Sequence, residues 1–506
     1  NDRKPFEEWR SRVVINIILA ILVLSIIIII HEFGHFIVAK ANGITVVEFS
    51  LGFGPKLIHF KKGETEYSLK LLPFGGACIM LGEDFLEADD DEQEDATEGN
   101  NTGKAGSELD NDFCNGKTAE DNGFGNTSRY SSDNTSAGSY MSEKKKQEAL
   151  EAGYDMSKSF ANKSVWARIA VIAAGPIFNF ILAFVCSVVI IGSIGYDPCM
   201  VDVVYDNSPA VSAGLQEGDK IIKVNNQKIT FYRDYSFYRV YHADDTMNIT
   251  YERDGQKYTT TLTPEYVKQQ KYQMGVTLEQ NGTIAGVSDG TPAQKAGIKK
   301  GDIITAVNGV AVDGSTKIIE LVGQCNGESV DITINRDGST MQLNVTPDSV
   351  ENEYYYTGFA SYGARQKVSP ISVIGYAFKE VGYSVNTVVK SLGMMFTGQV
   401  GINDLSGPVG TVSAMSNIVE ESKADGTFYV ILNLLNLAGL ISANLGVMNL
   451  LPIPALDGGR LVFLILEVLR GKPVKKEHEG MVHFVGMIFL FVLMIYVMFK
   501  DIRGLF

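Results

Sequence analysis

"IIIIIHEFGHFIVAK", Ile26 to Lys40, joins an unbroken apolar run to two histidines, a glutamate and a glycine. An ionisable side chain at hydrocarbon depth costs about 3 kcal/mol or more, so a cluster of them at the end of an oily helix calls for a functional reading. His31 and His35 stand at i and i+4, which puts both imidazoles on one helix face, where they can meet one metal ion. Glu32 lies about 100° round the helix from His31, near enough to take a proton from an attacking water without occupying the metal. The competing reading is a pair of satisfied core histidines. A catalytic zinc site takes three protein ligands and keeps one position open, so a third ligand has to come from elsewhere.

That ligand is sought in "NLLPIPALDGGR", Asn449 to Arg460, because Asp457 is the only acid between Phe428 and Glu467. Pro452 and Pro454 remove backbone donors and Gly458-Gly459 loosen the chain, so a helix should break beside the carboxylate. Alone, Asp457 reads equally well as a helix cap or a snorkelling end group. Beside HEFGH, ligation is the better account.

The rest of the 506 residues averages very oily with very polar stretches: 45% are hydrophobic and the mean hydropathy is +0.04. Val13 to Val38, Val165 to Ile194, Phe428 to Leu450 and Val482 to Phe499 are long and apolar enough to span a bilayer. The first lacks a signal-peptide cleavage site and reads as a retained helix. The formal charge of -15 is uneven, with ten acids and no base in Glu83 to Asn100. About -5 is left for everything else, which excludes a generally basic surface for nucleic acid. Five cysteines without a CxxC pair suggest neither a zinc ribbon nor a disulfide scaffold. Lysines and arginines favour a cytoplasmic location for the first and third connections, which would leave Tyr196 to Thr427 outside; Arg10 and Arg12 pull the other way.

Residues 41–82 read as short strands with glycine turns, which must be shielded or line a wet cavity at membrane depth. Residues 83–160 carry too few large apolar side chains to offset chain entropy and read as an acidic, disordered cytoplasmic insert. Beyond the second span, "SPAVSAGLQEGDKIIKVNNQKI" from Ser208 repeats as "TPAQKAGIKKGDIITAVNGVAV" from Thr291 at an offset of 83. Both units resemble PDZ domains of the protease-associated kind, placed at 196–270 and 271–365. Modules of that kind bind peptide ends by strand addition, and by the resemblance "YQMGV", Tyr272 to Val276, forms the second one's peptide-binding loop; steric filters without a peptide ligand are the alternative. Residues 366–425 read as an amphipathic interfacial helix and a linker.

Taken together, HEFGH, "NLLPIPALDGG", "GFGP" (Gly52 to Pro55) and "GPIFNF" (Gly175 to Phe180) resemble the site-2 protease family of intramembrane zinc metalloproteases. The likeness is to the bacterial regulator-of-sigma-E type with tandem PDZ domains. It implies a multi-span α-helical membrane protein of about four transmembrane helices, with a membrane-reentrant β-loop and two extracytoplasmic α+β PDZ domains. The spans would lie in 13–40, 161–195, 426–460 and 461–506, in a bacterial inner membrane, with the active site near the cytoplasmic side.

The resemblance implies Zn2+ held by His31, His35 and Asp457, with Glu32 catalytic. Asn449 and the loop of Gly52, Phe53, Gly54 and Pro55 would hold substrate, joined by Pro452 and Pro454. Pro176 and Asn179 would stand behind the ligands, although they read equally well as a kink and an interhelical hydrogen bond. The substrates implied are single-pass membrane proteins, cut within the lipid bilayer: an anti-sigma factor or remnant signal peptides. The acidic insert departs from the family pattern. His59, His242, His478 and His483 read as surface or packing residues. A noncatalytic PDZ scaffold and a metal transporter are the rivals; Glu32 argues against the first, and the single polar cluster against the second.

Overall fold

A computed structural model describes residues 3–83, 150–151, 153–279, 281–399, 401, 407–422 and 425–503. Most of the acidic insert, with the expectation attached to it, lies outside these residues. The chain forms two compact units, 1–194 together with 368–506, and 195–367.

Helix α1 (Arg3–Ala41) opens the first unit. Its part from Ile17 to Ala41 is one of four helices among the described residues that are long and apolar enough to cross a membrane; the others are Val165–Ile194, Thr427–Leu450 and Glu477–Arg503. Helices satisfy every backbone group internally, which hydrocarbon requires. HEFGH sits in the last three turns of α1. The helix stops at Gly43, whose φ of 63° lets the amide turn back onto Lys40.

Strands β1 (Val46–Lys62) and β2 (Thr65–Met80) follow as a hairpin closed between Lys62 and Thr65. They are longer than the short strands expected, because the glycines bend the chain without ending it. Gly52, Gly54 and Gly75 take φ of 88°, 94° and 84°. The hairpin folds over itself: Glu48 to Leu51 is flanked by Gly76 to Ile79 on one side and Glu66 to Leu69 on the other. Helix α2 (Val165–Ile194) then carries Pro176 in its interior.

The second unit holds two four-stranded sheets. In the first half β3 (Val203–Val204) and a short helix α3 (Pro209–Ser212) precede β4 (Lys220–Val224), β5 (Gln227–Lys228), α4 (Tyr232–Tyr241), β6 (Met247–Arg253) and β7 (Gln256–Leu262), in sheet order β5-β4-β6-β7. Next come β8 (Glu265–Gln273), β9 (Val276–Leu278), β10 (Ile284–Val287) and α5 (Pro292–Lys295). The second half repeats the first as β11 (Ile303–Val307), β12 (Val310–Ala311), α6 (Ser315–Gly323), β13 (Val330–Arg336) and β14 (Ser339–Val345), in order β12-β11-β13-β14.

The repeat reaches the buried charges. Arg253 makes a two-pronged bond to Asp219 at 2.6 and 2.7 Å, and Arg336 does the same to Asp302 at 2.7 and 2.7 Å. The halves also exchange strands. Nine residues of β8 pair with nine of β15 (Asp348–Tyr356), and β16 (Phe359–Ala360) returns to pair with β3, placing Phe359 in the first half's core.

Back in the first unit, α7 (Pro370–Phe396) packs Val373, Ala377 and Ser384 inward, and Phe378 meets Phe184 of α2 at 4.4 Å between ring centroids. Helices α8 (Pro408–Ser422), α9 (Thr427–Leu450), α10 (Asp457–Arg470) and α11 (Lys476–Arg503) complete the chain. The break expected near Asp457 falls after Leu450, and a separate 14-residue helix begins at Asp457, where the sequence suggested one span to 460 and then a turn. Small residues bring the spans close together. A Cβ on Gly34 would lie 2.5 Å from the Ala174 carbonyl oxygen, and one on Gly446 would lie 2.8 Å from the Phe180 ring.

Candidate metal centre

Helix α1 supplies His31 and His35 one turn apart, and α10 supplies Asp457 from its first turn. The three donors close into a triangle: His31 Nε2 to His35 Nε2 is 3.2 Å, His31 Nε2 to Asp457 Oδ2 is 3.1 Å, and His35 Nε2 to Asp457 Oδ2 is 3.5 Å. Zinc bonds of about 2.0–2.1 Å in a tetrahedron demand edges of roughly 3.3 Å, so these atoms fit one face of such a site with the fourth corner open. Among the described residues this is the one group of three or more such side chains able to hold a metal ion.

The histidines are oriented from behind by α2. His35, 7% exposed, points Nδ1 at the Val171 carbonyl, 2.8 Å away. Donating there keeps the proton on Nδ1 and turns the Nε2 lone pair inward. His31 Nδ1 lies 3.1 Å from the Asn179 amide, whose Oδ1 is buried without a partner among the described residues. With the amide oriented so that Oδ1 accepts from Nδ1, both atoms are satisfied and His31 Nε2 is likewise left for a metal. Ser442 of α9 donates to the Asn179 carbonyl at 2.8 Å. Gly175 permits this close packing, since a Cβ there would stand 2.4 Å from His35 Nε2 and 2.7 Å from His31 Nε2. Pro176 follows it and leaves the Ile172 carbonyl without its helical donor.

Glu32 lies beside this triangle and against the sheet: a Cβ on Gly76 would come within 3.0 Å of Glu32 Cγ. Gly76 was not singled out in the sequence, where the signal available was only the Gly75-Gly76 pair. Gly52 to Pro55 lie in the middle of β1, and Asn449 is half-buried in the last turn of α9. The structure does not bring either into the three-donor group.

Between α9 and α10 the loop Leu451 to Leu456 is folded tightly over the helix start. A Cβ on Gly458 would lie 2.0 Å from the Leu451 carbonyl oxygen, and one on Gly459 would lie 2.6 Å from that of Ile453. Pro452 and Pro454 belong to this loop. His483 of α11, read from the sequence as a surface or packing residue, is 5% exposed and accepts a hydrogen bond from the Ala455 amide at 2.9 Å. Helix α10 is further held by Arg168 of α2, whose guanidinium grips Glu467 at 2.5 and 3.2 Å, and by the Arg460 to Glu83 pair at 2.5 Å.

Two helical histidines, a distant carboxylate and an adjacent glutamate, set among apolar spans, define a membrane protein with a metallopeptidase-type centre. The model of peptidase family M50 matches residues 19–493, and the chain belongs to that family. It is 30% identical to the zinc metalloprotease RasP of Bacillus licheniformis, over 97% of this chain and 99% of that protein. It is also 30% identical to the regulator of sigma-W protease RasP of Bacillus subtilis (strain 168), with coverage of 97% and 99%. Among solved structures, the HtrA3 PDZ domain bound to a phage-derived ligand is similar over 17% of this chain and 93% of that one, at 21% identity and a TM-score of 0.16. The HtrA-type protease AlgW with a decapeptide is similar over 26% and 50%, at 12% identity and a TM-score of 0.17.

Proposed function

We propose that the chain is a zinc endopeptidase that hydrolyses peptide bonds within the spanning segments of single-pass membrane proteins. The observation that carries this is the triangle of His31, His35 and Asp457, closed from parts of the chain more than 400 residues apart, with Glu32 beside it. Zinc held there would polarise the scissile carbonyl. Glu32 takes the proton of the attacking water and passes it to the leaving amine.

A helical substrate has its carbonyls hydrogen-bonded and sheathed, so it must unwind to be cut. Gly76 to Ile79 pairs with Glu48 to Leu51 on one side, and Gly76 adjoins Glu32, which favours addition of the unwound substrate as a strand beside this segment. Gly52 to Pro55, Asn449, Pro452 and Pro454 serve as further substrate contacts along the same path. The relative named as a regulator of sigma-W protease supports an anti-sigma factor as substrate class; remnant signal peptides have the same single-span form.

The tandem in 195–367 is read as a pair of extracytoplasmic PDZ modules. Gly275 and Gly358, at φ 80° and 83°, occupy equivalent places in the two halves, packed on Thr291 and Ser208 respectively, each of which caps a short helix of its half. These are the loops where peptide ends would dock; the same bodies would also exclude substrates with bulky outer domains. The active site is read as close to the cytoplasmic face, because Lys40, five residues past His35, pairs with Glu64 at 2.7 Å.

The test is cleavage of a model single-span substrate by purified protein, with and without a zinc chelator, beside Glu32→Gln. Loss of cleavage in both arms is expected, with zinc still bound in the variant. Cleavage by Glu32→Gln would remove the mechanism, and zinc binding without cleavage of any span would favour the scaffold.

A further inference from the structure

Ala455 has φ of 74°, the one alanine in the left-handed region among the described residues. A side chain there costs about 1–2 kcal/mol, so something has to hold it. Ala455 lies two residues before Asp457, in the loop that sets where the carboxylate points.

Helix α11 meets this peptide with two residues one turn apart. Gly486 lets Pro454 in, since a Cβ on Gly486 would lie 2.3 Å from Pro454 Cβ and 2.8 Å from its carbonyl oxygen. His483 accepts from the Ala455 N–H through Nδ1 at 2.9 Å, which places the ring's proton on Nε2. That Nε2 is buried with no hydrogen-bond partner among the described residues. An orphaned buried donor costs about 1–3 kcal/mol, which a leucine or phenylalanine packed there would avoid. What the imidazole supplies that an apolar side chain does not is the acceptor for Ala455.

We propose that His483 is a positioning residue for the metal centre: by bonding the Ala455 amide it holds the strained peptide that aims Asp457 at His31 and His35. This rests on the reading that these three side chains ligate the metal.

The experiment uses the full chain in detergent, with Co2+ as the probe. Affinity is measured by competition with a chelator, the ligand field by visible absorption, and cleavage of a single-span substrate in parallel. His483→Leu is expected to bind Co2+ about 10–100-fold more weakly, the range usual for loss of a group behind a metal ligand, with an altered spectrum and a fall in kcat at unchanged KM. His483→Asn, whose Oδ1 stands close to where Nδ1 was, is expected to stay within about threefold of the parent, since it keeps the acceptor. Ala455→Gly combined with His483→Leu is expected to recover most of the loss, because glycine adopts this φ without strain.

Parental affinity and spectrum in His483→Leu overturn the proposal, as does His483→Asn behaving no better than His483→Leu. If His483→Leu does not fold, the Asn variant and the double variant decide between the same outcomes. Asp457→Ala separates this proposal from the reading beneath it: if that variant binds Co2+ as the parent does, the ligand assignment itself fails. If it loses the metal while His483→Leu keeps it, only the role of His483 fails.

Discussion

A methyl group on Gly175 would sit 2.4 Å from His35 Nε2, closer than any real Cβ contact, so Gly175→Ala must push the ligand rings or the whole of α2 away. The expected outcome is at least about tenfold weaker metal binding, in line with other losses behind metal ligands. Metal content after dialysis against a weak chelator measures it. Gly192→Ala on the same helix, where the added Cβ would meet only Val373 at an ordinary 4.0 Å, should match the parent. The same scale explains which histidines were legible. His31 and His35 announce themselves through a four-residue spacing on one helix. His483 does not, because its hydrogen-bond partner lies 28 positions back and only packing reveals it.

Among the elements, α10 matters most, because it begins with a ligand, packs against α2 and sets Phe463 5.6 Å from the His483 ring of α11. Arg168 and Glu467 pin it from within: their side chains are 5% and 15% exposed. Removing one partner of such a buried pair costs about 3–5 kcal/mol, whereas replacing both with apolar groups is close to neutral. Glu467→Leu is therefore expected to lower the melting temperature sharply, and Arg168→Leu with Glu467→Leu to regain most of it. A double variant as unstable as the single one would mean that the pair's geometry matters more than its charge balance. The sequence foretold the helix break at the proline-rich loop but not a second helix beyond it, since the residues from 461 were read as a turn into the last span and the partner that holds this helix, Arg168, comes from α2.

In the whole molecule, the two repeats share one buried device. Arg336 bonds hold the Asp302 carboxyl below its usual range, and Asp302 is only 1% exposed. Because folding depresses this value, the pair's stabilisation is complete above the unfolded carboxyl's roughly 3.9 and is lost as pH falls below it towards the folded value. Hydrogen exchange should therefore show β11 and β13 loosening below about pH 4. Asp302→Asn should already be less protected at pH 7, by about 1–3 kcal/mol for the lost charged hydrogen bonds, and should change less on acidification. Equal acid sensitivity in the two proteins would assign the effect to other carboxylates.

The sequence by itself determined whatever depends on near neighbours: the apolar spans, the i, i+4 histidines with their glutamate, the broken loop around Asp457, and the repeat at offset 83 with Asp219 and Asp302 in register. These are properties of spacing and composition, and they survive without knowing what packs against what. Only the tertiary structure decided what depends on distant segments meeting. It set the triangle between α1 and α10, the hairpin that lays Gly76 against Glu32, and the return of Phe359 into the first repeat's core. It also set the contact of His483 with a strained alanine. Such contacts cost chain entropy to form and are selected by the fit of whole surfaces, so no local pattern along the chain records them.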